Sequence, residues 1–251
     1  GGASLPKFAV MPLLCAGFTV LTPDLRNHGD SSNAKPISPG WHEAMDVLMA
    51  AQWLEERLNY TRDQIFLWGE SLGAASVAYA AARDVRFRAL AIEAPPVSCG
   101  MVYDGFAKHW PYWVRAWLAW WHKTLSIDNP YNIDLLHEAR FIAADVLHSH
   151  GYEDPVVPFT NAILLKSTLE GRAPVIDVHS KTIRIPGYMS FFHHGGHTSS
   201  WRFHTYFTLM LDFYSAAANR TNGKGGPGIL TSGGGASEYA FEGLNASHVF
   251  V

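Results

Sequence analysis

Residues 64–74, Gln-Ile-Phe-Leu-Trp-Gly-Glu-Ser-Leu-Gly-Ala, constrain the fold more than any other part of the sequence. The apolar run predicts a buried strand, and the Ala-rich run that follows Gly73 predicts a helix. A sharp turn between a strand and a helix is the setting in which Gly-x-Ser-x-Gly forms a nucleophile elbow. We expect Gly69 and Gly73 to leave room where strand and helix nearly collide. The Ser71 hydroxyl would then stand at the carboxyl end of the strand, beside free N–H groups of the helix.

The motif alone is weak, because Gly-x-Ser-x-Gly is short and arises by chance in chains of this length. The alternative interpretation is a serine that merely occupies a tight strand-to-helix turn. The flanking strand and helix favour a nucleophile at Ser71, and the N–H of Leu72 is then the predicted oxyanion donor.

Bulk composition excludes several classes of protein. The 251 residues fit one domain with a large core, and 48% hydrophobic with 16% charged residues is an ordinary globular balance. The net charge of −3 without a long basic run gives no indication of nucleic-acid binding. Two cysteines do not make a disulfide framework, and no apolar stretch reaches the length of a transmembrane segment.

Strand and helix patterns alternate along most of the chain. Apart from the elbow, strands are predicted at Phe18–Thr22, Phe87–Ala94, Ala143–His148 and Thr182–Pro186, and helices at Pro6–Ala16, Trp41–Leu58, 158–170 and 201–218. This alternation predicts an α/β fold with a doubly wound, mostly parallel sheet covered by helices on both faces. We expect one domain at residues 1–218, and a flexible Gly/Ser-rich tail at 219–251.

A different pattern interrupts the alternation at residues 97–136. Five tryptophans recur there at helical spacing, which predicts a helical insertion that acts as a lid over the site: Trp110, Trp113, Trp117, Trp120 and Trp121. The spacing favours core packing of these rings over ligand contact. A helix lying on a membrane surface is a third alternative, although the polar face carries few cations.

A nucleophilic serine needs a base, and the base needs an orienting acid. Asp154 lies in the loop after a predicted strand, and His197 lies in the loop after the last one. The chain order Ser, Asp, His is the order that this sheet architecture uses. Because all three positions follow carboxyl ends of strands, we expect Ser71, Asp154 and His197 to meet at one edge as a catalytic triad.

Nearby residues offer alternatives for two of these roles. Glu153 competes with Asp154, which could also be just an acid at a helix N-terminus. His193 and His194 compete with His197, and the glycines before His197 favour it because they let the loop present its ring. The three histidines also allow a metal interpretation, although the H-E-x-x-H helix signature is missing. His28, His148 and His150 are interpreted as structural.

Four segments together resemble the α/β-hydrolase superfamily, and most of all its esterase/lipase and serine aminopeptidase-like branches. The segments are Asp24-Leu25-Arg26-Asn27-His28-Gly29-Asp30-Ser31, Gly69-Glu70-Ser71-Leu72-Gly73, His150-Gly151-Tyr152-Glu153-Asp154-Pro155-Val156-Val157-Pro158 and Gly195-Gly196-His197. The resemblance runs from about Gly1 to Ala218. It favours Asp154 as the acid, and the serine argues against the dehalogenase branch, which uses a carboxylate.

The resemblance also implies that the chain is truncated at its N-terminus. In that superfamily three strands precede the helix predicted at Pro6–Ala16, and the loop after the third donates the first oxyanion N–H. Gly1-Gly2 would be the remnant of that loop. The third strand normally lies between the Phe18–Thr22 strand and the elbow strand. Either these two strands pair directly, or the chain is a fragment or a decayed copy. Because half of the oxyanion hole would be missing, we expect weak activity even with an intact triad.

These features predict a serine hydrolase that cleaves carboxylic esters or related acyl bonds without a cofactor or a metal. The Trp-rich insertion suggests a small-molecule acyl substrate that is apolar or aromatic. The alternatives are a non-catalytic binding or scaffold protein that retains the fold, and a serine peptidase or acyltransferase. The sequence leaves the oligomeric state open, and leaves the compartment open with the cytoplasm as the default.

Overall fold

The computed structural model describes residues 7–31, 38–107, 109–125, 134–177, 182–221 and 249–250. Eight helices are found in these ranges: α1 (Lys7–Cys15), α2 (Glu43–Leu58), α3 (Leu72–Arg83), α4 (Cys99–Phe106), α5 (Tyr112–Leu125), α6 (Leu135–Ala139), α7 (Thr160–Glu170) and α8 (His204–Thr221). The strands of the same ranges are β1 (Thr19–Val20), β2 (Ile65–Glu70), β3 (Ala89–Glu93), β4 (Asp145–Gly151), β5 (Val175–Asp177), β6 (Thr182–Arg184), β7 (Tyr188–His193) and β8 (Val249–Phe250).

Six strands form one sheet in the order β1-β8-β2-β3-β4-β7, and every pair in it is parallel. Helices cover both faces of this sheet, as the alternating pattern predicts. The α/β-hydrolase architecture expected from the sequence is therefore confirmed. In the register of β2 and β3, Glu70 lies opposite Glu93, so the strand end that precedes Ser71 is aligned with the end of β3.

Strand β2 shows how the sheet divides the core. Its successive side chains point to opposite faces, as the pleat of a strand requires. Ile65 and Leu67 pack into one cluster with α2 and α3, whereas Phe66 and Trp68 pack into another with α1 and α8. Because both faces of β2 are buried, the strand reads as a continuous apolar run rather than as an alternating one.

The strand that precedes the candidate histidine loop is not the one predicted. Thr182–Arg184 belongs to a separate antiparallel pair with Val175–Asp177, and the sheet strand is Tyr188–His193. The prediction of Thr182–Pro186 as the last sheet strand before the histidine loop is therefore wrong. The His-Gly run at residues 193–197 has the composition of a loop. It outweighed the strand signal of the aromatic residues directly before it.

The position between β1 and β2 is filled by β8. Val249 pairs with Thr19 on one side and Ile65 on the other, and Phe250 pairs with Val20 and Phe66. Direct pairing of the two flanking strands, one of the outcomes expected from the sequence, is therefore not found. The backbone groups of both strands instead find partners in residues from the other end of the chain.

The C-terminal segment differs from the predicted flexible tail at its two ends. Helix α8 continues to Thr221, and Val249–Phe250 is a sheet strand. The rest of that segment lies outside the described residues, and so do Gly1-Gly2. The division into a domain at 1–218 and a tail, and the N-terminal truncation, stay predictions.

The described residues of the insertion at 97–136 are largely helical and carry α4, α5 and the start of α6, whereas the lid over the site stays a prediction. The tryptophans of α5 are not core residues, because Trp113, Trp117, Trp120 and Trp121 are all exposed. The preference for core packing is therefore wrong. Helical spacing shows that residues share a face, but it does not show whether that face is covered.

Within the ranges described, the structure contains no helix that is long and apolar enough to span a membrane.

Candidate active site

Ser71 lies between the end of β2 and the start of α3, in a backbone conformation that side chains rarely adopt. Its φ is 51° and its ψ is −117°. The Ser71 N–H donates to the Glu93 carbonyl at 2.8 Å, which ties the turn to β3. A positive φ at a non-glycine residue is strained, and such strain persists only where the surrounding structure holds it.

Gly69 allows this turn, and Gly73 has a different part in it from the one predicted. A Cβ at Gly69 would lie 2.4 Å from the carbonyl carbon and oxygen of Gly73, so strand and helix touch through backbone alone. A Cβ at Gly73 would meet no atom within 4 Å. The expectation that both glycines leave room for the crossing is thus right for Gly69 and wrong for Gly73.

The structure brings the three predicted triad side chains into one hydrogen-bonded chain. His197 Nε2 lies 2.9 Å from Ser71 Oγ, and His197 Nδ1 lies 2.7 Å from Asp154 Oδ2. A carboxylate only accepts hydrogen bonds, so Nδ1 carries the proton and Nε2 accepts from the serine hydroxyl. This is the arrangement in which an imidazole can remove a proton from an alcohol.

The Asp154 side chain is fully buried, and its charge is held by surrounding donors. Its Oδ1 accepts the backbone N–H groups of Val156 and Val157 at 2.8 and 2.9 Å. Burial by itself would raise the pKa of Asp154, but the hydrogen bonds from His197 and from these two N–H groups hold that pKa below its usual range. Asp154 therefore stays ionised and orients the imidazole.

The acid loop and the histidine loop are joined through their backbones. The Tyr152 N–H donates to the His193 carbonyl at 2.9 Å, and the Glu153 N–H donates to the Gly195 carbonyl at 3.1 Å. Gly151 permits this contact, because a Cβ there would lie 2.2 Å from the Gly195 oxygen. The separation of Asp154 and His197 is therefore fixed by main-chain hydrogen bonds.

The alternative acid and bases lie elsewhere. Glu153 is exposed, and its carboxylate lies 3.6 Å from the exposed ring of His194. The His193 ring is buried, and its Nε2 lies 2.8 Å from Ser200 Oγ. The histidines of the proposed metal alternative thus have three separate partners, and the described residues hold no group of three or more His, Cys, Asp or Glu side chains that could bind a metal.

The three histidines interpreted as structural each lie within hydrogen-bond distance of a carbonyl or hydroxyl oxygen. His28 Nδ1 lies 2.9 Å from the Arg26 carbonyl, His148 Nδ1 lies 3.1 Å from the Tyr188 hydroxyl, and His150 Nε2 lies 2.9 Å from the Val157 carbonyl. Burial lowers the pKa of His148 to about 3 and also lowers the pKa of His150. Both rings are therefore neutral at physiological pH, which fits a structural part.

Sequence reasoning missed two carboxyl groups beside the triad, Glu70 and Glu93. Glu93 is buried, and its Oε1 accepts the Ser200 N–H at 2.7 Å, which holds the segment after His197 against β3. Burial raises the pKa of Glu70 to about 8, and the charge of Glu93 adds to this effect. The signal was present in the sequence as an acid at the end of two predicted strands, but their alignment depends on the sheet register.

The predicted oxyanion donor, the Leu72 N–H, belongs to the first residue of α3. The first N–H groups of an α-helix have no partner within the helix, so they can receive a developing negative charge beside the serine. Gly1-Gly2, the expected remnant of the loop that donates the first oxyanion N–H in the superfamily, lie outside the described residues.

The parallel sheet with helices on both faces and the serine at a strand-to-helix elbow define an α/β-hydrolase. The sequence model of the prolyl oligopeptidase family matches residues 9–221, so the chain belongs to the prolyl oligopeptidase family. Family and fold together make it a serine hydrolase. No curated protein sequence matches the chain.

Solved structures with the same fold include esterases and peptidases. An esterase from Pyrococcus furiosus has 18% identity and a TM-score of 0.63, with 83% of this chain and 75% of that one covered. The esterase domain of a Rhodothermus marinus protein has 18% identity and a TM-score of 0.53, with coverage of 86% and 81%. A Pyrococcus horikoshii acylaminoacyl peptidase has 17% identity and a TM-score of 0.54, and 71% of this chain covers 28% of that one. At these identities the similarity shows the fold alone.

Proposed function

We propose that the chain hydrolyses carboxylic esters or related acyl bonds through Ser71, His197 and Asp154, with an acyl-enzyme intermediate. The observation that carries this proposal is the hydrogen-bonded chain from Ser71 Oγ to His197 at 2.9 Å and from His197 to Asp154 at 2.7 Å.

In the first step His197 Nε2 takes the hydroxyl proton as Ser71 Oγ attacks the acyl carbonyl carbon. Asp154 stabilises the imidazolium that forms. The Leu72 N–H receives the carbonyl oxygen as it becomes an oxyanion, and one such donor contributes on the order of 3 kcal/mol to the transition state. The leaving alcohol then takes the proton from His197.

The second half of the reaction repeats this chemistry with water. His197 removes a proton from the water as the water attacks the acyl carbon, and the proton returns to Ser71 Oγ when the acid leaves. The chain supplies every proton acceptor and donor in this cycle, so the proposal requires no cofactor.

The choice of an ester over a peptide bond as substrate rests on how much of each compared structure is matched. The two esterases are matched over 75% and 81% of their lengths, whereas the acylaminoacyl peptidase is matched over 28%. The family description favours a peptidase as the second candidate. Turnover of a p-nitrophenyl ester and of an aminoacyl p-nitroanilide by the same preparation separates the two.

A fluorophosphonate probe followed by peptide mass spectrometry tests the proposed nucleophile. We expect one modification, at Ser71, and loss of both labelling and p-nitrophenyl ester turnover by at least about a thousandfold in Ser71→Ala. Ser167→Ala, which changes an exposed serine on α7, is the matched control and should keep both. Labelling at another serine, or ester turnover that survives in Ser71→Ala, would remove the proposal.

A further inference from the structure

One face of α5 consists of exposed tryptophan side chains. Trp113, Trp117, Trp120 and Trp121 follow the spacing i, i+4, i+7, i+8, which places them on one side of the helix. Trp113 is 71% exposed, and Trp117 and Trp120 are 54% and 58% exposed. The Trp121 ring contacts the rings of Trp117 and Trp120, with centroids 6.0 and 6.2 Å apart. We call these four residues the Trp face.

Contiguous aromatic surface of this kind marks a site of interaction with a partner or a membrane, since isolated exposed rings are common but clusters are not. Val114 and Leu118 are only partly exposed, so the flank of α5 beside the Trp face is more covered than the Trp face itself. The Trp face is therefore the most exposed side of α5 among the side chains that the structure describes.

The stretch of sequence that contains α5 carries charges of one sign only. Residues 105–127 contain three Lys or Arg and two His but no Asp or Glu, although the whole chain has 22 acidic residues. Although its cations are few, a segment without acids carries a net positive charge and is attracted to lipid phosphates, most strongly where anionic lipids are present.

The preference of tryptophan for membrane surfaces also favours a lipid partner. An indole has a large apolar body and one N–H donor, and tryptophan is accordingly enriched at the level of lipid headgroups. A helix of 14 residues is too short to span a bilayer, so it would lie along the surface. The insertion follows β3, whose last residue accepts the Ser71 N–H, so it leaves the sheet at the edge that carries the triad.

We propose that α5 docks on the headgroup region of a phospholipid bilayer through its Trp face, and that the net positive charge of residues 105–127 strengthens docking on anionic lipid. The proposal does not depend on ester hydrolysis, because its test measures binding.

Co-sedimentation of the full chain with phosphatidylcholine vesicles, with and without about 30% phosphatidylglycerol, tests this proposal. We expect binding to both, stronger binding to the anionic vesicles, and a blue shift of tryptophan fluorescence on binding. Phosphatidylcholine brominated on its acyl chains should quench that fluorescence in the unaltered protein, a readout that needs no variant.

The variant Trp113→Ser/Trp117→Ser/Trp120→Ser should lower vesicle binding about tenfold or more, with circular dichroism and thermal unfolding as checks of folding. Trp53→Ser is the matched control, because Trp53 is 48% exposed on α2 and should not affect binding. Failure to bind either vesicle, equal binding by the triple variant, or a dimer in analytical ultracentrifugation that the triple variant disperses would overturn the proposal. The last result would assign the Trp face to a second copy of the chain.

Discussion

At the residue scale, the two glycines of the elbow should respond differently to the same change. Gly69→Ala places a Cβ 2.4 Å from backbone atoms that cannot move without displacing Ser71, so we expect a loss of about 2–3 kcal/mol in unfolding free energy and of fluorophosphonate labelling. Gly73→Ala enters open space inside α3 and should stabilise the protein by up to about 1 kcal/mol. Urea unfolding of both variants checks this, and equal effects would contradict it.

Glu70 should make stability depend on pH. Its Oε1 is buried and has no hydrogen-bond partner among the described residues, and burial with the nearby charge of Glu93 raises its pKa from 4.5 to about 8. The folded chain therefore keeps a proton that the unfolded chain releases near pH 4.5. Stability contributed by this proton is present below pH 4.5 and is lost as the pH rises toward 8.

Glu70→Gln keeps the shape of the side chain and removes its charge. We expect little change in unfolding free energy at pH 5 and a gain on the order of 2 kcal/mol at pH 9, less than the full shift because the side chain is partly exposed. Urea titrations at the two pH values measure the difference. Glu56→Gln, at an exposed position on α2, is the control, and its effect on unfolding free energy should be the same at both pH values. The prediction is wrong if the unfolding free energy of Glu70→Gln changes between pH 5 and pH 9 as much as that of the unaltered protein.

At the scale of elements, Arg172 joins the starts of two strands to the end of a helix. Its buried guanidinium donates to the carbonyls of Leu169, Ile142, Ala144, Pro186 and Gly187 at 2.7–3.3 Å. These carbonyls lie at the end of α7, before β4 and before β7. Strands β4 and β7, which lead into the loops of Asp154 and His197, are thus held together at the end far from the site.

Arg172→Met should cost about 3 kcal/mol in unfolding free energy, because it leaves several buried carbonyls without a donor. Arg86→Met is the comparison, since Arg86 is 54% exposed and bonds to Asp84 at the surface, and its loss should cost less than about 1 kcal/mol. Chemical unfolding followed by circular dichroism measures both. Similar costs for the two variants would contradict the part assigned to Arg172.

Elements whose pattern is local could be predicted, and elements defined by distant partners could not. Strand β2 and helix α3 carry their own signals, a continuous apolar run and an Ala-rich run, and lie within a residue or two of the expected positions. Strand β7 was misplaced because its aromatic residues run directly into the His-Gly loop. Strand β8 has two residues, and nothing in Val249–Phe250 shows that both of its neighbours lie near the other end of the chain.

At the scale of the whole molecule, the sequence predicted the meeting of the three triad side chains because of topology rather than side-chain detail. Carboxyl ends of parallel strands share one edge, so residues placed in those loops come together once the sheet is correct. The pairing of Glu70 with Glu93 and the outward direction of the Trp face depend instead on register and on helix rotation. These are tertiary properties, and a single sequence does not encode them in any short window.

The position of β8 also determines when the sheet can be completed during synthesis of the chain. A ribosome releases the elbow, the acid loop and the histidine loop long before Val249 and Phe250 emerge, and until then β1 and β2 have an unfilled gap between them. Because such unpaired edges attract other strands, we expect wrong pairing of β1 or β2 to be possible until Val249 and Phe250 are available. We therefore expect the sheet to close only after Val249 and Phe250 have left the ribosome.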